Sequence, residues 1–424
     1  MTAADRMIEF IDASPSSFHA CRAAAEQLEA AGWSRVQESE PWPTESGRYY
    51  VIRGGSLVAW SSAASDQPHT PFRVVGAHTD SPNLRLKQHH DLGHDGIDVV
   101  ALEPYGGVLL TTWLDRDLGV AGRVVLRDGT ERLVHVDEPV LRVPNLAIHL
   151  DRDQAAATPD KQRHLNAVWG LGEASRSAGG FLGWLGERAG FGVDDVLGHE
   201  LMVCPTQPAA RVGAGDALVA APRLDNQATC FAGLRALLDA AQEPAEGIRP
   251  VLVMFDHEEI GSTSERGAQS ELLTTVLERI VDAAGGSRDD YHRAVAASVC
   301  ASGDMAHATH PNHVDKHEPL HRITMGGGPV LKVNQNLRYA SEPVGTAAFA
   351  LACEQADVPL QRYVHRADLP CGSTIGPISA ARTGMVTVDV GAPQLAMHSI
   401  RETMAAGDVD LYARALGAFL APRA

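Results

Sequence analysis

The stretch FDHEEIGSTSERGA (residues 255–268) sets two adjacent glutamates, Glu258 and Glu259, just after the apolar run at 250–255. Carboxylates side by side at the end of a buried strand repel each other and are costly to desolvate unless a cation or solvent neutralises them. Other segments offer matching side chains. VVGAHTDSP carries His78 and Asp80 just past a strand-like run, and VCASGDMAH puts Asp304 past another. APRLDNQATCFAGL supplies Asp225 at the entry to a helix, and GAPQLAMHSIRE supplies His398 in a loop after the last strand. Carboxylate with imidazole suits zinc, with manganese or cobalt as substitutes. Two metals about 3.5–4 Å apart can share a bridging carboxylate and clamp both oxygens of a hydrolytic displacement. In such a site one glutamate of the pair binds metal, its neighbour stays free as general base, and the cationic charge offsets their repulsion.

Taken singly, His78 or His398 is more often a hydrogen-bonded structural histidine, Asp80 is as well explained as a helix cap, and a Glu-Glu pair is usually a solvated edge. The combination carries the signal, because these residues follow strand-like runs of one orientation. HEPLH (residues 317–321) matches the HExxH pattern, but that motif needs both histidines on one helical face, and Pro319 interrupts the turn. MGGGPV lacks the Lys-Ser/Thr of a phosphate loop, and CGSTIG misplaces its serine for a nucleophile elbow.

The elements that must position these residues are legible as an α/β pattern. FRVVGAH, PVLVMFDHEE, VAASVCASGD and GMVTVDVGAP read as strands buried on both faces, and QATCFAGLRALLDAAQ and ELLTTVLERIVDAAG as helices between them. That alternation predicts a mostly parallel sheet sandwiched by helices, with the candidate residues at its carboxyl edge, where ligand crevices form. The texture changes between residues 89 and 220. GRVVLRDGTERLVHV holds two alternating runs around Asp128-Gly129, a hairpin signal. A β-rich domain at 89–220 is thus expected, inserted into an α/β domain made of 1–88 and 221–424.

A chain of 424 residues, 44% of them hydrophobic, can bury a large core and exceeds the usual single-domain length. The net charge of −17 disfavours nucleic acid and anionic membranes as partners. No window approaches the roughly 20 apolar residues of a membrane span. Asp5, Arg6, Glu9 and Asp12 fall where a signal peptide needs an unbroken apolar stretch, and six cysteines without CxxC spacing read as reduced thiols. A cytoplasmic location is expected.

GAHTDSPNLRLK, PRLDNQATCFAGL, DHEEIGSTSERGA, SGDMAHATHPN, GGPVLKVNQNLRYAS, LPCGSTIGPI and GAPQLAMHSIRE together resemble the aspartyl aminopeptidase family of di-zinc exopeptidases, nearly end to end. The resemblance implies two zinc ions per subunit: His78 and Asp304 on one, Glu259 and His398 on the other, Asp225 bridging. It implies Asp80 as the group orienting His78, Glu258 as the catalytic base, and a cis peptide between Asp225 and Asn226. It further implies an inserted domain that builds dimers of a tetrahedral homododecamer, with His149 reaching a neighbouring subunit's active site. Lys332, Tyr339 and His307 would line the pocket for the substrate's first side chain. By themselves, His149 reads as a strand-end histidine and Lys332 as an exposed strand lysine. The function implied is removal of N-terminal Asp or Glu from peptides. The alternatives are a neutral-residue preference within the family, or a catalytically silent shell protein, against which the intact Glu258 and ligand set weigh.

Overall fold

A computed structural model of the chain describes all residues except 65–66, 151, 153–157, 173–178 and 424. Its main sheet has nine strands. Four of them form a parallel centre: Arg249–Phe255, Phe72–His78, Val299–Gly303 and Val386–Gly391. Antiparallel pairing adds Ser56–Ser61 and Arg48–Arg53 on one side and Val330–Val333 on the other, the last pairing in parallel with Gln361–Val364.

The central strands alternate between two cores, as the period of two in side-chain direction requires. Val75, Ala77, Leu252, Met254, Ala301 and Val388 face helices Ser17–Ala30, Leu224–Gln242, Pro343–Ala356 and Ala406–Leu420. Val74, Val251, Val253, Phe255 and Cys300 face helices Leu272–Ala283, Arg288–Ala296 and Ile375–Thr383. Burial on both faces explains why these strands read as unbroken apolar runs.

The strands between Asn83 and Pro205 form a separate six-stranded antiparallel sheet. It includes the hairpin expected at Asp128-Gly129, between Leu118–Leu126 and Glu131–Leu141. Its core packs Leu84, Val120, Val134 and Leu201 against Phe181 and Leu185 of helix Gly180–Ala189. The strand Asn83–His94 crosses the 88/89 boundary expected from the sequence. Leu218–Ala221 pairs instead with Glu402–Ala405 in a small five-stranded sheet beside the carboxyl edge of the main one. Arg266 ties the two bodies together: its guanidinium donates to Asp256, at the end of the 249–255 strand, and to Glu200 of the six-stranded sheet. Among the described residues no helix is long and apolar enough to cross a membrane.

Candidate metal centre

Parallel register places the carboxyl ends of the central strands level: Phe255 pairs with His78, and Ser302 lies beside both Gly76 and Asp389. His78 ends its strand, Asp304 follows Gly303, and Glu258 and Glu259 form a single helical turn three residues beyond Phe255. Asp225 opens the helix Leu224–Gln242 through a cis peptide to Asn226. His398 lies between the short strands Pro393–Leu395 and Glu402–Ala405 rather than after the last strand, because the chain returns to pair antiparallel before the final helix.

The five expected ligands come together. His78 Nε2 is 3.3 Å from Asp225 Oδ1 and 3.8 Å from Asp304 Oδ1. His398 Nε2 is 3.4 Å from both Asp225 Oδ2 and Glu259 Oε1. Asp225 thus turns one oxygen to each histidine. Asp225 Oδ1 and Glu259 Oε1 are buried without a hydrogen-bond partner, and donor atoms of His78, Asp225 and Glu259 lie within 4.8 Å of one another. Tetrahedral zinc with bonds of about 2.0–2.1 Å sets its ligand atoms about 3.3–3.4 Å apart, so the spacing suits an ion better than hydrogen bonds among the ligands. Both imidazoles are oriented for it. His78 Nδ1 is 3.0 Å from the Asp80 carbonyl and His398 Nδ1 is 3.1 Å from the Gly107 carbonyl. A carbonyl can only accept, so each Nδ1 carries a proton and each Nε2 faces the carboxylates, where a cation that displaced its proton would find the lone pair.

The family model for aminopeptidase I zinc metalloproteases (M18) matches residues 10–420. The chain belongs to the M18 aminopeptidase family. It is 58% identical over 422 residues to a probable M18 family aminopeptidase 2 of Mycobacterium bovis, covering 98% of this chain and 97% of that one. Its counterpart in Streptomyces coelicolor is 51% identical, covering 99% and 97%. Among solved structures, the complex of Ape4 and Nbr1 aligns with a TM-score of 0.92 at 33% identity, covering 99% of this chain and 85% of that one. The mApe1 dodecamer of S. cerevisiae aligns at 0.84 and 28% identity, covering 98% and 95%. The protein is therefore a zinc metalloaminopeptidase.

The charges of this M18 aminopeptidase site are strongly perturbed. Burial pushes Glu258 up to about 8, with His78 opposing and Asp304, Asp80 and Asp225 reinforcing. Burial likewise raises Glu259, against the pull of His398. Burial alone would depress the histidines, but the carboxylates around them overturn it: His78 is held well above its usual value and His398 is raised to about 10. Asp225 goes the other way, because its two histidine partners outweigh its burial. Such a cluster holds shared protons that cations displace.

Lys332, His307 and Tyr339 line the same cleft as the ligands. Lys332 is not the exposed lysine its strand position suggests. It is 2% exposed, with Nζ 3.7 Å from Asp304 Oδ2 and 5.1 Å from the Tyr339 ring centre. Burial and the nearby Lys332 depress His307 to about 4, so it is neutral at physiological pH. His149 is not at a strand end: it sits exposed in the turn at 148–150, outside this cleft. HEPLH forms no helix, and Glu318 folds back to accept from His321 Nδ1 at 2.6 Å.

Sequence reasoning missed Glu402 and Tyr105. Buried Glu402 accepts the backbone N–H of Asp225 at 3.0 Å and of His398 at 2.7 Å, bracing two of the expected ligands at once. Tyr105 donates its hydroxyl to Asp80 at 2.7 Å. For Glu402 the signal was its place in the HSIRE block; Tyr105 had none.

Proposed function

We propose that this aminopeptidase removes N-terminal Asp and Glu from peptides using two zinc ions per subunit. Support for two ions comes from Asp225, whose oxygens face different histidines, each with its own further carboxylate: Asp304 beside His78, Glu259 beside His398. When bound, zinc supplies the Lewis acidity that polarises the scissile carbonyl and activates the attacking water. Glu258 is the general base. It stands 4.0 Å from His78 with its side chain 14% exposed toward the cleft, whereas Glu259 is 5% exposed and turned onto His398. Glu258 takes the proton from the attacking water and passes it to the leaving amine. Asp80 orients His78 and accepts the backbone N–H of both Glu258 and Glu259, at 3.1 and 3.2 Å, so it holds ligand and base in one frame.

The acid preference rests on one observation, the buried ammonium of Lys332 in the metal cleft beside Tyr339 and neutral His307. A substrate carboxylate meeting it gains a charge-assisted hydrogen bond in a partly desolvated pocket. The six-stranded sheet is the oligomerisation domain of a tetrahedral homododecamer, and His149 enters a neighbouring subunit's site. The exposed Leu146, Ile148 and Leu150 around His149, and the dodecameric mApe1 neighbour, support this. Free thiols at all six cysteines fit a cytoplasmic enzyme.

The test is a comparison of kcat/KM on zinc-loaded protein for peptides differing only in N-terminal Asp, Glu or Leu. The acidic substrates should lead by about tenfold or more, the weight of one charged hydrogen bond. A Leu peptide cleaved as well or better would replace the acid preference with a neutral one.

A further inference from the structure

The chain leaving the strand Ile97–Tyr105 of the six-stranded sheet lies against both halves of the ligand cluster. Tyr105 donates to Asp80 Oδ2 at 2.7 Å, and that carboxylate is also 3.5 Å from His78 Nδ1 and accepts from the Glu258 and Glu259 amides. The Arg85 guanidinium covers the Tyr105 ring, 3.6 Å from its centre, and fixes where the hydroxyl points. Gly106, at φ +72°, passes so close that a Cβ there would meet Glu259 Cβ at 3.1 Å and its carbonyl oxygen at 3.2 Å. Gly107 then offers its carbonyl to His398 Nδ1 at 3.1 Å, where a Cβ would crowd that nitrogen at 3.2 Å. Leu109 N–H closes the contact on the His398 carbonyl, also at 3.1 Å.

We infer that the segment 105–109 is a positioning strap by which the inserted sheet sets the metal centre of its own subunit. This role is separate from oligomerisation and rests on the zinc-ligand assignment proposed above. One end acts through Asp80 on His78 and on the Glu258-Glu259 turn. The other end, through the Gly107 carbonyl, fixes the His398 tautomer that leaves Nε2 free to bind metal. None of these residues is among those lining the metal cleft; they act through the proposed ligands.

The test uses the full-length protein with Tyr105→Phe, which deletes one hydroxyl and keeps the ring under Arg85, and Gly107→Ala, which presses on His398. Zinc affinity is measured by competition with a chromophoric chelator, and ligand geometry by the visible spectrum of the cobalt-substituted protein. Loss of one supporting hydrogen bond to a ligand shell is expected to weaken zinc about 10- to 100-fold. Gly107→Ala should also shift the cobalt bands, and Tyr105→Phe should lower kcat with KM nearly unchanged, since Lys332 and Tyr339 are untouched. Wild-type zinc affinity and cobalt spectrum in both variants would overturn the strap while leaving the ligand assignment standing. A wild-type protein that takes up no zinc, or that keeps its affinity on Asp225→Asn, would overturn both.

Discussion

Lys332→Met keeps most of the lysine's length and deletes only its charge, so it isolates what the ammonium does. A hydrogen bond between an ionised donor and acceptor contributes about 1.5–3 kcal/mol, which corresponds to roughly 10- to 150-fold in kcat/KM. The structure favours the upper part of that range for an acidic substrate, because Lys332 is 2% exposed and is held near the Met305 carbonyl at 3.4 Å rather than waving in solvent. A second effect runs alongside. Buried Asp389, which accepts from Ser302, Thr374 and the Ala340 amide, has Lys332 as its nearby cation, and Asp304 is 3.7 Å from the same nitrogen. Leaving a buried carboxylate without its cation costs on the order of 3–5 kcal/mol, so the variant should melt earlier. Absolute activity would mix the two effects. The ratio of kcat/KM for an N-terminal Asp peptide to that for the matching Leu peptide separates them, because misfolding or zinc loss scales both substrates alike. The ratio should fall by about 10- to 150-fold in Lys332→Met at unchanged zinc content. An equal loss on both substrates would refute the reasoning and turn the search for the specificity determinant to His307 or Tyr339.

Glu258→Gln should keep its zinc by elemental analysis yet lose about a hundredfold to ten-thousandfold in kcat; near-full activity would remove Glu258 as the base. His149→Phe should lower turnover without zinc loss, and mixing its subunits with Glu258→Gln subunits under exchange conditions should restore activity. Absence of recovery in demonstrably mixed assemblies would exclude a shared site. Burial depresses His19, hydrogen-bonded to Ser16, from 6.5 to about 3, so its contribution to stability is present above pH 6.5 and is lost as pH falls toward 3. Between pH 7 and pH 5 wild type should lose about 2 kcal/mol more than His19→Gln in urea unfolding, at about 1.36 kcal/mol per pH unit below the unfolded pKa; parallel slopes would refute it.

Of the proposed ligands, His78, Asp304 and Glu259 were legible because each ends or follows a central strand whose apolar run is visible and parallel pairing makes those strand ends neighbours. Asp225, by contrast, comes from a helix entry and His398 from between two short antiparallel strands, placements that no central strand marks. The supports were not legible, because they depend on contacts across the fold. Tyr105 reaches Asp80 from 25 positions away with no signal in the sequence, and Glu402 reaches the Asp225 amide from 177, where its place in the HSIRE block names no partner. Lys332 misled for a related reason. A strand lysine is exposed when its sheet face is wet, but here Asp304, Met305 and Tyr339 lie against the Lys332 side chain, contacts that only the folded chain brings together. The edge of the insertion also escaped, since Asn83–His94 begins immediately after the Asp80 turn with no linker of Gly or Pro-rich composition to mark it.

That missing linker bears on how the site is built. The six-stranded sheet leaves the main sheet at Asn83, three residues past Asp80, and the chain returns through Pro205 and the small sheet to reach Asp225. The insertion is therefore spliced between two members of the proposed metal centre, not hung from a distant loop. Arg266 anchors it from the other side, joining Asp256 beside the Glu258-Glu259 turn to Glu200. Contrast the HEPLH segment, which has the residue types for zinc and makes no site because Pro319 denies it the helix those residues require. Residue type proposes a ligand, but elements that hold the imidazole's second nitrogen decide whether it can serve. For the two proposed histidine ligands the Asp80 and Gly107 carbonyls hold that nitrogen, one just before the six-stranded sheet begins and the other just past its strand Ile97–Tyr105.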